Sequence, residues 1–364
     1  MCAAPVPRDS PASRLTESTI VQLQAEILTV HTRHPFVIAR GGTSEFQVVW
    51  VRVRDAQSAD DGLEGWGEAA PSRFYGETAD SVMTALARFA PVMAQADAWS
   101  IDAIERELEK VLRWNAAARC AISAALHDLA AKRLGVPLWK LWGLDGASTP
   151  RSSFTIGIAP DEATLRARVR EAAAYPILKI KLGTPRDADI VRVVREEAPA
   201  ATLRVDANAA WTTKRALAML DVLTAHGVDM LEQPLPPHDL DGLRFVRERS
   251  PIDVIADESC LVATDIPKLH GVVDGVNIKL AKCGSLREAM RMIAVARAHG
   301  MRVMCGCMVE TTLGIAAAAH FSPLLDDADL DGAALLADDP FVGPAIPSGQ
   351  ITLGTAPGLG VQRR

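Results

Sequence analysis

Short apolar runs recur from residue 154 onward, each followed by a helical stretch, and this alternation limits the possible folds more than any other feature. The runs are FTIGI at 154, ILKIKLG at 177, LRVDAN at 203, VDMLEQP at 228, DVIADES at 253, GVNIKLA at 275 and RVMCGCM at 302. Strand, helix, strand at a near-constant period means parallel βα units. Several helices stop at a glycine just before the next strand, as in LAMLDVLTAHG and AMRMIAVARAHG, and the latter opens on a capping box from Ser285 to Glu288. Seven or eight such units in roughly 200 residues fit a closed (β/α)8 TIM-type barrel, whose usual size is about 250 residues. An open doubly wound sheet would want a Gly-rich fingerprint in its first βα turn, and none is present.

The chain before the repeat reads differently. Residues 1–18 are polar and Pro-rich without period, a loose tail. The strand-like runs IVQLQAEILTV and EFQVVWVRV flank HTRHPFVIARGGTS, which predicts a long-looped hairpin. The Gly-rich GWGEAAPSRFYGE follows, then a helix around SVMTALARFAPVM and another from about Asp102, where Asp102 and Glu105 stand at capping-box spacing. With the Ala-rich AARCAISAALHDLAAKRL this makes an α+β unit over residues 19–145, bounded by GLDGASTP at 143–150. The barrel is then expected over 146–340.

Composition narrows the partners. A formal charge of -6 with no basic run offers no footprint for nucleic acid. No uncharged apolar stretch is long enough to span a bilayer and no apolar signal segment opens the chain, so a cytoplasmic protein without a membrane partner is expected. The six cysteines, Cys2, Cys120, Cys260, Cys283, Cys305 and Cys307, are scattered, which favours reduced thiols.

The chemistry lies where the strands end. Lys181, Asp206, Glu232, Asp257 and Lys279 close successive apolar runs, and Gly306 closes the next. In a parallel barrel these positions converge on one mouth, where active sites of this architecture lie. A ring of salt bridges explains any one of these residues; five at one depth argue for function, because buried ion pairs rarely stabilise more than apolar packing does. Three carboxylates on adjacent strands are the donor set of a hard divalent cation, so Asp206, Glu232 and Asp257 form a candidate Mg²⁺ site. Cys305 and Cys307 lack a second pair and read as small strand-end residues rather than a zinc site. Lys179 and Lys181 are two apart on a strand and share the barrel's inner face, where mutual repulsion is expected to push them toward neutrality. Lys279 arrives from across the pocket. Two lysines facing a substrate carboxylate from opposite sides suit removal of the proton α to it and return of a proton to the other face, inverting the centre.

The runs KIK at 179–181, DAN at 206, EQP at 232, ADES at 256 and NIKLAK at 277 resemble the enolase superfamily, in its muconate lactonizing enzyme subgroup. ALHDLAAKRLGVPLWKLWG and the closing PGLGV also resemble that subgroup, so the likeness covers nearly the whole chain. It implies an α+β cap completed by a C-terminal segment, residues 341–364, and Mg²⁺ held by Asp206, Glu232 and Asp257. It also implies Lys181 and Lys279 as the acid/base pair with Lys179 as helper, and Asn208, Glu258 and Lys282 in support. CGCMVETTLGIAAAAHFS and DLDG resemble the dipeptide epimerases, in which Asp329 and Asp331 would bind the substrate's α-ammonium group. The backbone around Cys307, Met308 and Val309, and Thr155 on the first strand, are further candidate contacts. The Ala-Glu epimerases of that family carry a specificity Arg in a cap loop, where an ungapped comparison on HPF puts Gly41, one residue after Arg40. Arg40, Arg33 and Arg73 are each expected at the solvated surface, which leaves the second residue of the dipeptide open. The expected activity is Mg²⁺-dependent dipeptide epimerisation by a homo-oligomer. The same scaffold also serves N-acylamino acid racemisation, o-succinylbenzoate formation and cycloisomerisation, and a barrel that binds a ligand without catalysis is the bland alternative.

Overall fold

The computed structural model describes residues 21–55 and 62–364, so the expected tail at 1–18 lies outside the described residues. An antiparallel sheet opens the chain, with β1 (Val21–Ile38), β2 (Gly41–Asp55) and β3 (Glu64–Ala69) in that order. Helices α1 (Ala79–Met93), α2 (Ile101–Val111) and α3 (Ala116–Arg133) cover it. The α3 helix is buried nearly end to end, which its alanines permit, and β3 lies directly on it. That approach requires glycine: a Cβ at Gly65 would stand 1.9 Å from the Ala125 carbonyl oxygen, and one at Gly67 2.0 Å from that of Ala121.

The segment expected as a long hairpin loop is instead strand. β1 runs on to Ile38 and the chain turns within Ala39–Arg40, with the pairing interrupted between His31 and Phe36, where Pro35 lacks an amide to donate. The arm is held by the barrel: the Val37 carbonyl accepts from the Ile158 amide at 2.9 Å. The capping box expected at Asp102 and Glu105 does not form. Helix α2 begins one turn-position earlier, after Ser100, and Asp102 pairs with Arg287 at 2.6 Å while Glu105 accepts from Ser123. Ser285 does cap its helix, but Glu288 reaches the Ala263 amide.

Eight parallel strands follow: β4 (Phe154–Ile156), β5 (Ile177–Lys181), β6 (Thr202–Asp206), β7 (Val228–Glu232), β8 (Asp253–Ala256), β9 (Gly275–Ile278), β10 (Arg302–Gly306) and β11 (Asp327–Asp329). They hydrogen-bond in chain order, and a bridge from Ser152 to Ala328 brings the last strand back to the first. This is the nearly closed (β/α)8 barrel. Along each strand alternate residues face inward. On β8 these are Asp253, Ile255 and then Asp257; on β10 they are Arg302, Met304 and Gly306. Met230, Ile255 and Met304 form their own apolar cluster inside the barrel, between charged residues below and above. The C-terminal segment returns to the cap, where the Leu359 amide donates to Asp128 of α3 at 2.7 Å. No helix among the described residues is long and apolar enough to cross a membrane.

Candidate active site

Strand register brings the candidate residues together. Lys181 stands opposite Asp206, Asp206 opposite Glu232, and Glu232 opposite Ile255, which places Asp257, two residues on, over the same mouth. Oxygens of Asp206, Glu232 and Asp257 lie within 4.8 Å of one another, and all three residues are buried. Just beyond the first two ligand positions the backbone turns left-handed at Asn208 (φ 46°), Ala209 (φ 62°) and Gln233 (φ 32°). Strain of this kind persists only where the surroundings impose it, and here it lies next to the charged cluster. Gln233 ties β7 to β8 by accepting from the Asp257 and Ser259 amides.

The donor set is all oxygen, as a hard divalent cation prefers. Beside it, Asn208 Oδ1 and Glu258 Oε2 are buried with no hydrogen-bond partner. Unsatisfied buried acceptors are rare in folded proteins and are explained by an ion or its waters. The residues therefore fit Mg²⁺.

Four lysines surround the triad. Lys181 reaches Asp206 at 2.6 Å from one side, and Lys279 reaches Asp257 at 2.7 Å from the other. Lys179 lies below the cavity, fully buried, bonded to Glu232 and Asp329 at 2.7 Å each. Lys282 is buried behind Asp257 and donates to its side chain and to the Asp257 and Asn277 carbonyls. Burial opposes charge on Lys179, but Asp329, Glu232 and Asp206 outweigh it and hold the ammonium well above the usual lysine range. Expected repulsion from Lys181 therefore does not neutralise Lys179, because three acids face it. Burial likewise opposes charge on Lys279, and Asp257 outweighs it, so this lysine too is raised. Among the acids, burial would raise Asp206 and Asp257, but Lys181 with Lys179, and Lys279 with Lys282, hold them below the carboxylate range. Glu232 goes the other way: burial, then Asp206, push it up to about 7.

A cavity of about 800 Å³ opens above the triad, between barrel and cap. Lys181, Lys279, Asp257, Asn208 and Glu258 line its floor, and Thr155, Cys307, Met308, Val309, Asp329 and Asp331 line one side. Asp206, Glu232, Lys179 and Lys282 lie beneath or behind that lining. The two aspartates of the DxD differ. Asp329 is saturated by Ser153 Oγ at 2.6 Å and by Lys179. Asp331 accepts the Thr155 amide at 2.6 Å on one oxygen, is bonded by the Thr155 side chain as well, and has Cys307 Sγ at 4.0 Å from its other oxygen. Burial, then Asp329, push Asp331 up to about 7.

Of the three arginines expected at the surface, Arg40 is exposed but not free: it pairs with buried Glu258 at 2.9 Å and donates to the Asn208 carbonyl at 2.6 Å. The hairpin turn brings it there, a contact that local sequence does not encode. Arg33 donates to the Leu336 carbonyl, and Arg73 is exposed on the cavity rim. Sequence reasoning missed Tyr75, which enters the cavity from the loop after β3, and Asn277, which donates to Glu232 at 2.8 Å. It also missed Glu310, which accepts the Met308 amide at 2.8 Å. Asn277 and Gln233 sit inside the motifs NIKLAK and EQP, so their position was the available signal.

Comparison with known proteins agrees on one family. Residues 22–143 match the family described as mandelate racemase / muconate lactonizing enzyme, N-terminal domain, and residues 162–364 match the enolase C-terminal domain-like family. The chain is 40% identical over 334 residues to an L-Ala-D/L-Glu epimerase of Bacteroides thetaiotaomicron, covering 91% of this chain and 85% of that protein. It is 36% identical over 351 residues to a hydrophobic dipeptide epimerase of Roseobacter litoralis, covering 93% and 98%. Its structure resembles that of a dipeptide epimerase from Enterococcus faecalis complexed with Mg and the dipeptide L-Leu-L-Tyr. There the TM-score is 0.89 with 31% identity, over 95% of this chain and 100% of that one.

Proposed function

This chain belongs to the mandelate racemase / muconate lactonizing enzyme family of the enolase superfamily, and on that basis we propose that it is a Mg²⁺-dependent dipeptide epimerase. The carrying observation is one cavity lying over a buried carboxylate triad, with a lysine on either flank and Asp331, which no cation among the described residues pairs with, at one end.

In this reading Asp206, Glu232 and Asp257 hold Mg²⁺. Bound there, the ion supplies positive charge that offsets the charge developing on the substrate carboxylate. Asp331, which no cation among the described residues pairs with, receives the free α-ammonium, and Asp329 completes the negative end while Lys179 keeps it ionised. Thr155 fixes Asp331 through its amide, and the Cys307–Val309 strand end forms the adjoining wall. With both ends held, the α-carbon of the second residue lies between Lys181 and Lys279. One lysine Nζ takes the α-proton, and the other returns a proton to the opposite face. Lys179 acts as a positioning residue, because its ammonium is committed to Glu232 and Asp329. Lys282 does the same for Asp257, as do Asn208 and Glu258 for their own strand ends. A cytoplasmic, homo-oligomeric enzyme belongs to the same proposal; the five cysteines among the described residues are unpaired.

Incubating L,L-dipeptides with the enzyme and Mg²⁺ in D₂O tests the reading. Deuterium is expected at the α-carbon of the second residue, together with the inverted diastereomer. Absence of exchange across a dipeptide library rejects it.

A further inference from the structure

Resting on the epimerase reading, we infer that the second residue of the preferred substrate carries an uncharged, apolar side chain. Once the α-proton is off, the carbon is trigonal, and its three remaining substituents lie in one plane between Lys181 and Lys279. The carboxylate is directed to the triad and the peptide nitrogen to the Asp331 end. The side chain takes the third direction, out of the barrel and into the space roofed by the cap.

That space has an apolar wall. Phe36 and Phe46 meet edge to face, ring centroids 6.4 Å apart at 70°, and both are only partly buried. They pack with Val309, and Ile38, Met308 and Leu335 extend the lining. A Cβ built at Gly41 meets nothing within 4 Å, so the turn leaves the space open.

The charges around it are already committed or solvated. Arg40 is a strut between cap and barrel: besides Glu258 and the Asn208 carbonyl, its guanidinium lies over the Phe74 ring at 4.2 Å. The Glu258 side chain is 1% exposed, so drawing Arg40 onto a substrate carboxylate would strand a buried anion. Glu77 is buried but turned to the Ala117 amide at the start of α3. Glu45 and Arg73 are exposed, where water screens their choice of partner. Among the described residues an ionised substrate side chain finds no free, desolvated counter-charge here, and burying it uncompensated is costly. An apolar one gains by covering Phe36 and Phe46.

The test measures kcat/KM for α-deuterium exchange in L-Ala-L-Leu, L-Ala-L-Phe, L-Ala-L-Glu, L-Ala-L-Lys and L-Ala-Gly, each with Mg²⁺. The Leu and Phe substrates are expected to exceed the Glu and Lys substrates by roughly tenfold or more. Equal or better turnover of the Glu or Lys substrate overturns the inference and leaves the epimerase reading standing. No exchange in any of the five, L-Ala-Gly included, overturns both. Phe46→Ala is expected to lower the ratio of L-Ala-L-Phe to L-Ala-Gly turnover, and an unmoved ratio counts against the wall. Arg40→Met is expected to depress all five substrates in parallel. Selective loss of L-Ala-L-Glu would instead make Arg40 a substrate receptor and overturn the assignment.

Discussion

Both ends of the barrel interior hold buried ion pairs, but they build them on different cations. At the N-terminal end of the strands Arg204 pairs with Asp327, and Arg302 with Asp327 at 2.6 Å and Asp253 at 2.7 Å. At the C-terminal end the cations on the strands are lysines, Lys179, Lys181 and Lys279, with Lys282 behind. The Met230, Ile255 and Met304 layer separates the two sets. Arginine offers a planar fork that grips carboxylates bidentately and never gives up its proton, whereas lysine is a point charge that can. The lower set can therefore only hold the barrel together. The upper set has the cations able to exchange protons, and it borders the cavity of about 800 Å³.

The sharpest way to break this contrast is to exchange the cation types. Lys181→Arg or Lys279→Arg keeps the charge and removes the base, and epimerisation is expected to fall by roughly 10²- to 10⁴-fold. Diastereomer ratios followed by NMR check this, and near-normal turnover would show that the lysines do not move protons. At the other end, Arg204→Met leaves buried Asp327 short of a partner and should cost about 3–5 kcal/mol of stability by urea titration. Its kcat is expected to stay within a few-fold of the parent. A large kcat loss with intact folding would couple the two ends and remove the distinction.

Two smaller effects sharpen the picture of the upper end. Mg²⁺ at a hundred times its Kd should stabilise the fold by about 2.7 kcal/mol, seen as a raised melting temperature. Glu232→Gln should abolish that rise and Arg204→Met should keep it. A shift that survives Glu232→Gln places the ion elsewhere. Asp331, pushed up to about 7 by burial and Asp329, is half ionised there and loses its charge as pH falls below it. KM for a free-amine dipeptide is therefore expected to fall several-fold as pH rises from 6 to about 7.5, and to level off above it as the substrate ammonium, with a pKa of about 8, loses its proton. Asp331→Asn should flatten the profile, and an N-acetylated substrate should not respond to it. The linkage has a definite sign: a carboxyl raised in the folded state favours folding while protonated, so its contribution is lost as pH climbs from about 4 through 7.

Much of the barrel was legible because each βα unit writes its own signature. Apolar runs such as ILKIKLG and GVNIKLA, glycine stops and the charged strand ends are local features, and parallel pairing puts equivalent strand ends at one level. The eighth strand, Asp327–Asp329, does not stand out among the apolar runs, because three residues ending in acid carry too little pattern, and only the family resemblance pointed to a last strand there. The cap hairpin was misjudged for a related reason. HTRHPFVIARGGTS looks like a loop by composition, yet barrel contacts such as Val37 with Ile158 hold it extended. The failed capping box shows the same competition, since Arg287 and Ser123 take the side chains that local spacing had assigned to the helix end.

What the sequence determined by itself was the kind of residue at each strand end, and with it the acids and lysines of the upper mouth. Only the tertiary structure decided how those charges divide their work. Lys179 is captured beneath the floor by three acids, Asp329 is saturated by Ser153 and Lys179 while Asp331 is held by uncharged groups, and Arg40, though exposed, becomes a strut between cap and barrel. The reason is physical: position along a strand sets which face a side chain takes, but its partners and its proton are set by groups that arrive from a hundred or more residues away.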